Sequence, residues 1–440
     1  MPGVAHPRRS VRLVALAAAG QLVASVCTAV VLQHSIATTV TPTRSRPVPA
    51  LADTERSGSD RVGAVRALLR QRAAAVLAHD RERLLDTIDP AAAALRARQA
   101  RLLDALRDVP LSGWTYSLDP SHAQPPSRGL DRRYGTWWAP DVSLHYALAG
   151  FDAAPTERQQ GLTFVRRAGR WYLAADDDFR SHRTAYELWD GGSVVVARGA
   201  STLVLAHPDN GELVQLLLRE TDAAVPRVTA VWGQRWAQRV VLVVPASEAE
   251  LRRLLPDLGD LSQIAALATA ELTHRGSGYH PVGDRVLIDP PNFARLGSLG
   301  RRVVLAHEVT HVASREATGP AVPTWLVEGL ADYVGYHGLG VPLSTSAGEL
   351  GAEVRAGQLP ARLPADQAFA GNDPALAQVY EQSWLAVVLL ARTYGEPALL
   401  RLYRTVGSGQ PLAQVMMMQL DTTEAAFTVA WRDALRRELA

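Results

Sequence analysis

The sequence predicts an α+β chain in three parts: an N-terminal transmembrane helix, a cone of helices and curved antiparallel sheet, and a second domain whose small sheet packs on one long helix ahead of a mainly helical lobe. Three observations predict it. An apolar run extends from Leu13 to Leu32. Helix-periodic segments are followed by short strand-like runs ending in a hairpin at Ala168-Gly169. A helix-periodic stretch, V-V-L-A-H-E-V-T-H-V-A, follows alternating strands and helices late in the chain.

The chain has 440 residues, enough for two or three domains. Its hydrophobic content of 47% and charged content of 20% are those of a globular protein. The net charge of +2 gives no reason to expect nucleic acid, so no nucleic-acid partner is expected. All 46 basic residues are arginine. The single cysteine, Cys27, excludes an intrachain disulfide and a thiolate metal site.

Taken in order, residues 1–33 read as a basic tail and a membrane anchor. About 20 apolar residues span a bilayer's hydrocarbon core. Arg8, Arg9 and Arg12 precede the run, which by the positive-inside rule keeps the N-terminus cytoplasmic and exports the rest. The expected location is therefore a single-pass cell-membrane protein with its bulk outside; secretion after signal cleavage is the alternative. Residues 34–60, rich in Thr, Pro, Ser, Arg and Asp, read as a linker.

Residues 61–182 form the first domain. Val62, Val65, Leu68, Leu69, Ala73 and Val76 recur at helical spacing, and a second helix is expected over 91–107. Strands are expected over 114–118, 134–138 and 142–148, then in the hairpin G-L-T-F-V-R-R-A-G-R-W-Y-L-A-A. Its polar candidates are His122, His145 and Asp176-Asp177-Asp178, the aspartates reading as a solvated strand end. This segment resembles the nuclear-transport-factor-like (cystatin-like) superfamily, chiefly in F-V-R-R-x-G-R-W-Y-L. No chemistry is assigned to it; recognition of a cell-envelope partner is one candidate use, beside inhibiting the site, presenting substrate to it or merely spacing it.

Residues 183–440 form the second domain. Strands are expected over 193–196, 202–205, 240–244 and 284–289, with helices over 212–221 and 249–255. The Pro290-Pro291 pair ends the last strand. A helix then begins near Gly297-Ser298, with Ser298 as N-cap, and stops at Thr318-Gly319-Pro320.

That helix carries the chemistry. His307 and His311 are four apart and so share one face, where two imidazoles hold one metal ion. Glu308 lies beside the first ligand, placed to take a proton from a metal-bound water. A catalytic zinc normally has three protein ligands. The following P-T-W-L-V-E-G-L-A-D-Y offers Glu328 as the third, with Asp332 four residues on as acceptor for the free N–H of a ligating histidine.

H-E-V-T-H followed by W-L-V-E-G-L-A-D-Y resembles the gluzincin metallopeptidases of the peptidase MA-like kind and is similar to the aminopeptidase-N type, whose second motif is W-L-N-E-G-F-A. The resemblance implies zinc on His307, His311 and Glu328, and Glu308 as general base. Asp332 matches the supporting acid of the thermolysin-type enzymes. Val327 stands where the aminopeptidases have Asn, and no G-A-M-E-N-type segment is present. A metzincin is excluded by Ser314 and Ala317, where that class has Gly and His. The resemblance also implies that 283–288, or the strand before it, pairs with the substrate backbone. It implies a catalytic tyrosine at the start of the helix over 375–392, which is Tyr380; a half-buried aromatic explains Tyr380 equally well. Tyr333, Tyr336 and His337 compete for that role.

The function expected is a membrane-anchored extracytoplasmic zinc peptidase acting on peptides or proteins. The alternatives are an inactive zinc-fold scaffold of the cell envelope and a zinc hydrolase of a non-peptide amide.

Overall fold

The computed structural model describes residues 31–32, 51–256, 264–275, 278–369 and 375–440. Twelve strands are β1 (Val31–Leu32), β2 (Leu111–Ala123), β3 (Trp137–Trp138), β4 (Pro140–Leu148), β5 (Thr156–Gln160), β6 (Thr163–Arg167), β7 (Arg170–Ala175), β8 (Val195–Arg198), β9 (Thr202–Ala206), β10 (Val240–Val244), β11 (Ala266–Arg275) and β12 (Gly278–Ile288). The helices longer than ten residues are α1 (Leu51–Leu77), α2 (Ala93–Ala105), α3 (Gly211–Trp232), α4 (Ser298–Ser314), α5 (Thr324–Tyr336), α6 (Leu376–Tyr394), α7 (Glu396–Gly407) and α8 (Glu424–Leu439).

The expected fold class is corrected in two respects. The central sheet is a six-stranded mixed sheet in the order β1-β11-β12-β10-β9-β8. β9, β10 and β12 run parallel, with helices between them, so the chain is a mixed α/β fold, about half helical. The reason is legible in β9 and β10, whose residues are all buried. Strands covered on both faces need apolar residues at every position, and helical crossovers join parallel neighbours.

The second correction concerns the membrane. Among the described residues, no helix is long and apolar enough to cross a bilayer. Residues 1–30 of the expected anchor lie outside the described residues. Its end, Val31–Leu32, is a strand parallel to β11 rather than part of a helix. The single-pass location falls with the helix. α1 also begins at Leu51, inside the stretch read as linker.

The sheet's two faces build two cores, because alternate side chains point opposite ways. Val204, Ala206, Leu242, Val244, Ala266, Ala268, Val286 and Ile288 face α3 and α4 in the largest core. Leu203, Leu205, Val241, Val243, Leu267 and Leu287 face the other way, onto Trp114 of β2 and Leu144, Tyr146 and Leu148 of β4. Each such valine, leucine or isoleucine side chain, taken from water, contributes roughly 1.5–3 kcal/mol. The N-terminal half therefore covers the back of the sheet whose front carries α4.

That N-terminal half contains two three-stranded sheets, β2-β4-β5 and β3-β6-β7, instead of one curved sheet. Around Tyr134 a short helix, Arg128–Tyr134, replaces the start of the expected strand. The β6–β7 hairpin turns at Ala168 and Gly169, both with positive φ (46° and 84°).

α3 runs through Pro226 to Trp232, well past the expected end. Proline removes one helical hydrogen bond. Val225, Val228 and Val231, buried against α4 and the sheet, hold the helix together across it.

Candidate metal centre

α4 begins at Ser298, which is its first helical residue and not the expected cap; Gly297 holds the cap position, without a side-chain capping bond. Val303, Val304, Leu305 and Val309 are buried in the largest core, which fixes the helix's roll. This roll places His307, Glu308 and His311 under α5, all buried. α5 packs antiparallel through Leu326, Leu330 and Val334, all within 1% of full burial.

The crossing of α5 and α6 is close at Gly329. A Cβ there would lie 2.7 Å from Val387 Cγ2 and 2.8 Å from the Ser383 carbonyl carbon. This contact positions the neighbouring Glu328, whose side chain is 2% exposed.

Three ligand-type atoms converge between the two helices. His307 Nε2 and His311 Nε2 are 2.9 Å apart, and Glu328 Oε2 is 3.3 Å from the first and 3.5 Å from the second. These are the residues of the only three-residue cluster of potential metal ligands among the described residues. Tetrahedral zinc with bonds near 2.0–2.1 Å requires donors about 3.3 Å apart. Glu328 Oε2 is buried without a well-formed hydrogen bond and faces only the two imidazole nitrogens, so a cation held between the three would complete its coordination. Two imidazoles with one carboxylate suit zinc better than magnesium or calcium, which prefer oxygen alone. The residues fit zinc.

Asp332, one turn along α5, accepts a hydrogen bond from His307 Nδ1 at 2.7 Å. With Nδ1 protonated, Nε2 presents its lone pair to the centre. Burial alone would lower the His307 pKa, but the Asp332 charge and hydrogen bond outweigh it and hold the imidazole well above its usual range. Burial likewise works against Glu328 ionisation; the neighbouring His311 and His307 reverse this and hold its carboxyl at about 2.

Glu308 is fully buried. Its Oε2 accepts the backbone N–H of Ala268, on β11, at 2.6 Å. Its Oε1 is buried without a hydrogen-bond partner. Ala268 lies opposite Val286 of β12, but its N–H points to Glu308, off the ladder. β11 is thus the strand that reaches the site. No element was expected over 266–275. The alternation A-L-A-T-A-E-L before H-R-G-S-G was the available signal, masked by alanines of low strand propensity.

Tyr380 lies on the first turns of α6, buried, its ring centroid 6.5 Å from that of His307 and 5.4 Å from that of Phe369. Tyr333 is turned away, its hydroxyl donating to Glu396 at 3.0 Å. His337 is 4.0 Å from the same glutamate. The Tyr336 hydroxyl is buried without a hydrogen-bond partner; burial, then the charge of Asp332, pushes its pKa up.

The N-terminal candidates lie apart from this centre. His122 bonds Asp119 at 2.7 Å and His145 bonds Ser117 at 2.8 Å. Asp176 pairs with Arg98, and Asp178 with Arg133 at 3.0 Å, as ion pairs at the end of β7.

No protein-family model matches the chain, and no curated protein matches it. Among solved structures, an M1 zinc metallopeptidase from Deinococcus radiodurans, a glutamate-to-alanine mutant bound to a Tyr-Ser-Ala substrate, matches at 15% identity and TM-score 0.30. That match covers 63% of this chain and 58% of the other. The same mutant described without substrate matches at 15% identity and TM-score 0.30, over 63% and 59%. A two-domain M1 zinc metallopeptidase mutant bound to L-arginine matches at 14% and 0.29, over 63% and 58%. The chain thus spans less than two thirds of the length of those structures. The chemistry of the centre is carried by its own residues and distances.

Proposed function

We propose that the protein is a zinc-dependent peptidase of gluzincin type, with His307, His311 and Glu328 as ligands and Glu308 as general base. One observation carries this reading: three buried donors of zinc-binding type meet within 3.5 Å, beside a buried carboxylate that ligates nothing. One of its oxygens holds the Ala268 N–H, and a purely structural site has no use for the second, which is buried and free.

Zinc, when bound, supplies Lewis acidity, polarising a carbonyl and lowering the pKa of water from 15.7 to about 7. The chain's own residues do the rest. Asp332 orients His307 and keeps its donor nitrogen facing the centre. Glu308, through its free Oε1, takes a proton from water and returns it to the leaving amine. The Ala268 N–H holds the other oxygen, so the carboxylate keeps one orientation during the transfer. Tyr380 donates a hydrogen bond to the developing oxyanion. The low dielectric of the buried site strengthens each of these interactions. The substrate is a peptide or protein segment, and 61–182 and 183–440 serve as the two domains.

The test is Glu308→Gln on the full chain. It is expected to retain one zinc per chain while cleavage of a peptide library falls by at least 10³-fold, on the order of a lost general base and its electrostatics. Wild-type turnover in that variant would overturn the assignment.

A further inference from the structure

Asp284 and Arg285 are consecutive residues of β12, and each makes an ion pair in a different direction. Arg285 donates both guanidinium ends to Asp152, in the loop between β4 and β5, at 2.7 and 2.8 Å; their side chains are 7% and 3% exposed. Asp284 accepts Arg315 Nε at 3.1 Å, and Arg315 immediately follows α4. On the other strand of the hairpin, Glu271 accepts the Glu157 N–H at 3.1 Å and pairs with Arg158, both from β5. Gly283, at φ +63°, lets Thr156 approach so closely that its Cγ2 would lie 3.1 Å from a Cβ there.

These ties fall around one place. Arg285 lies opposite Thr269, next to Ala268. The β11–β12 register shifts between Thr269 and Glu271, so strand pairing is interrupted at Ala270, two residues from the N–H that holds Glu308. A bulge leaves a residue unpaired and bends the strand. The position of Ala268 therefore needs support from outside the ladder, and the N-terminal half supplies it on both sides of the bulge.

We infer that Asp152 is a positioning residue for Glu308: through Asp152 and β5, the N-terminal half clamps the β11–β12 hairpin so that the Ala268 N–H meets the Glu308 carboxylate. The kinetic consequence rests on Glu308 being the base; the geometric one does not. The N-terminal half then acts as part of the site's frame.

The experiment compares full-length wild type, Asp152→Asn and Arg285→Lys, with Leu173→Ala as a control. Leu173 is fully buried in the N-terminal core, away from the hairpin. Three quantities are measured: zinc content, kcat and KM on a peptide pool, and hydrogen exchange of the segment containing Ala268. Asp152→Asn is expected to keep its zinc, lose roughly 10- to 100-fold in kcat, as for misplacement of a catalytic group from a distance, and exchange the Ala268 amide about tenfold faster. Leu173→Ala is expected to lose stability with kcat and Ala268 exchange unchanged. Should Asp152→Asn not fold, Arg285→Lys decides, since it keeps the cation but loses the fork that meets both carboxylate oxygens. Ala268 exchange at the wild-type rate in the folded clamp variants would overturn the inference. A wild type without zinc or cleavage would instead overturn the peptidase reading, with the exchange comparison still deciding the clamp.

Discussion

Gly329→Ala is a substitution whose sign is set by geometry. In an open helix, alanine is favoured over glycine by about 1 kcal/mol. At 329, however, the new Cβ would lie 2.8 Å from the Ser383 carbonyl carbon, against an ordinary contact of 3.4 Å or more. The Ser383 carbonyl oxygen would lie closer still, so α5 and α6 would have to separate by about 1 Å, and overpacking of this kind costs about 1–3 kcal/mol. The displaced backbone carries Glu328, whose bond to a metal tolerates roughly 0.2 Å. The variant is expected to melt several degrees lower and to bind zinc at least tenfold more weakly, measured by thermal denaturation of the metal-free protein and by competition with a chromophoric chelator. An unchanged or raised Tm together with wild-type zinc affinity would refute the argument that the helix crossing places the ligand.

Three further outcomes are expected. Asp332→Ala should weaken zinc binding by about 10- to 100-fold and Asp332→Asn by less, since the amide still accepts from His307 Nδ1; equal losses in the same competition assay would mean that charge alone matters. Chelation should abolish cleavage and lower Tm, with zinc at 100 times its Kd restoring about 2.7 kcal/mol. Glu381 is buried, which pushes its carboxyl up to about 9, with the Glu349 side chain adding to the rise. A carboxyl raised in the folded state stabilises below its unfolded value near 4.5, and that contribution is lost as pH rises through about 9. Wild-type Tm should therefore decline between pH 5 and 9, and Glu381→Gln should flatten the decline; a parallel decline in the variant would exclude Glu381 as its source.

What the sequence disclosed depended on the range of the interaction. The pairs His307/His311 and Glu328/Asp332 were legible because four-residue spacing on a helix fixes a shared face whatever the surroundings; joining the two pairs rested on the need for a third ligand and on the resemblance. The six-stranded mixed sheet was only half legible. β10 declares its two-sided burial in Val240–Val244, whereas β11 hides behind alanines and has no local signature for the Ala268 N–H that meets Glu308. Hydropathy alone suggested an anchor over Leu13–Leu32, and β1 shows why the inference was unsafe, since an apolar pair serves an edge strand equally well. The Asp152–Arg285 pair joins residues 133 positions apart, which no periodicity could announce.

Glu308 Oε1, buried with its hydrogen-bonding capacity unmet, has a consequence for how stable this protein can be. An unsatisfied buried polar atom costs about 1–3 kcal/mol, more when charged. The native state thus carries an internal tension at its working centre. Leucine at position 308 would remove that cost but leave the buried Ala268 N–H without its acceptor, whereas glutamine keeps that bond and sheds the charge, and should give a protein that melts higher than the natural one. The difference in melting point between the glutamine variant and the natural protein measures what the buried charge costs the fold.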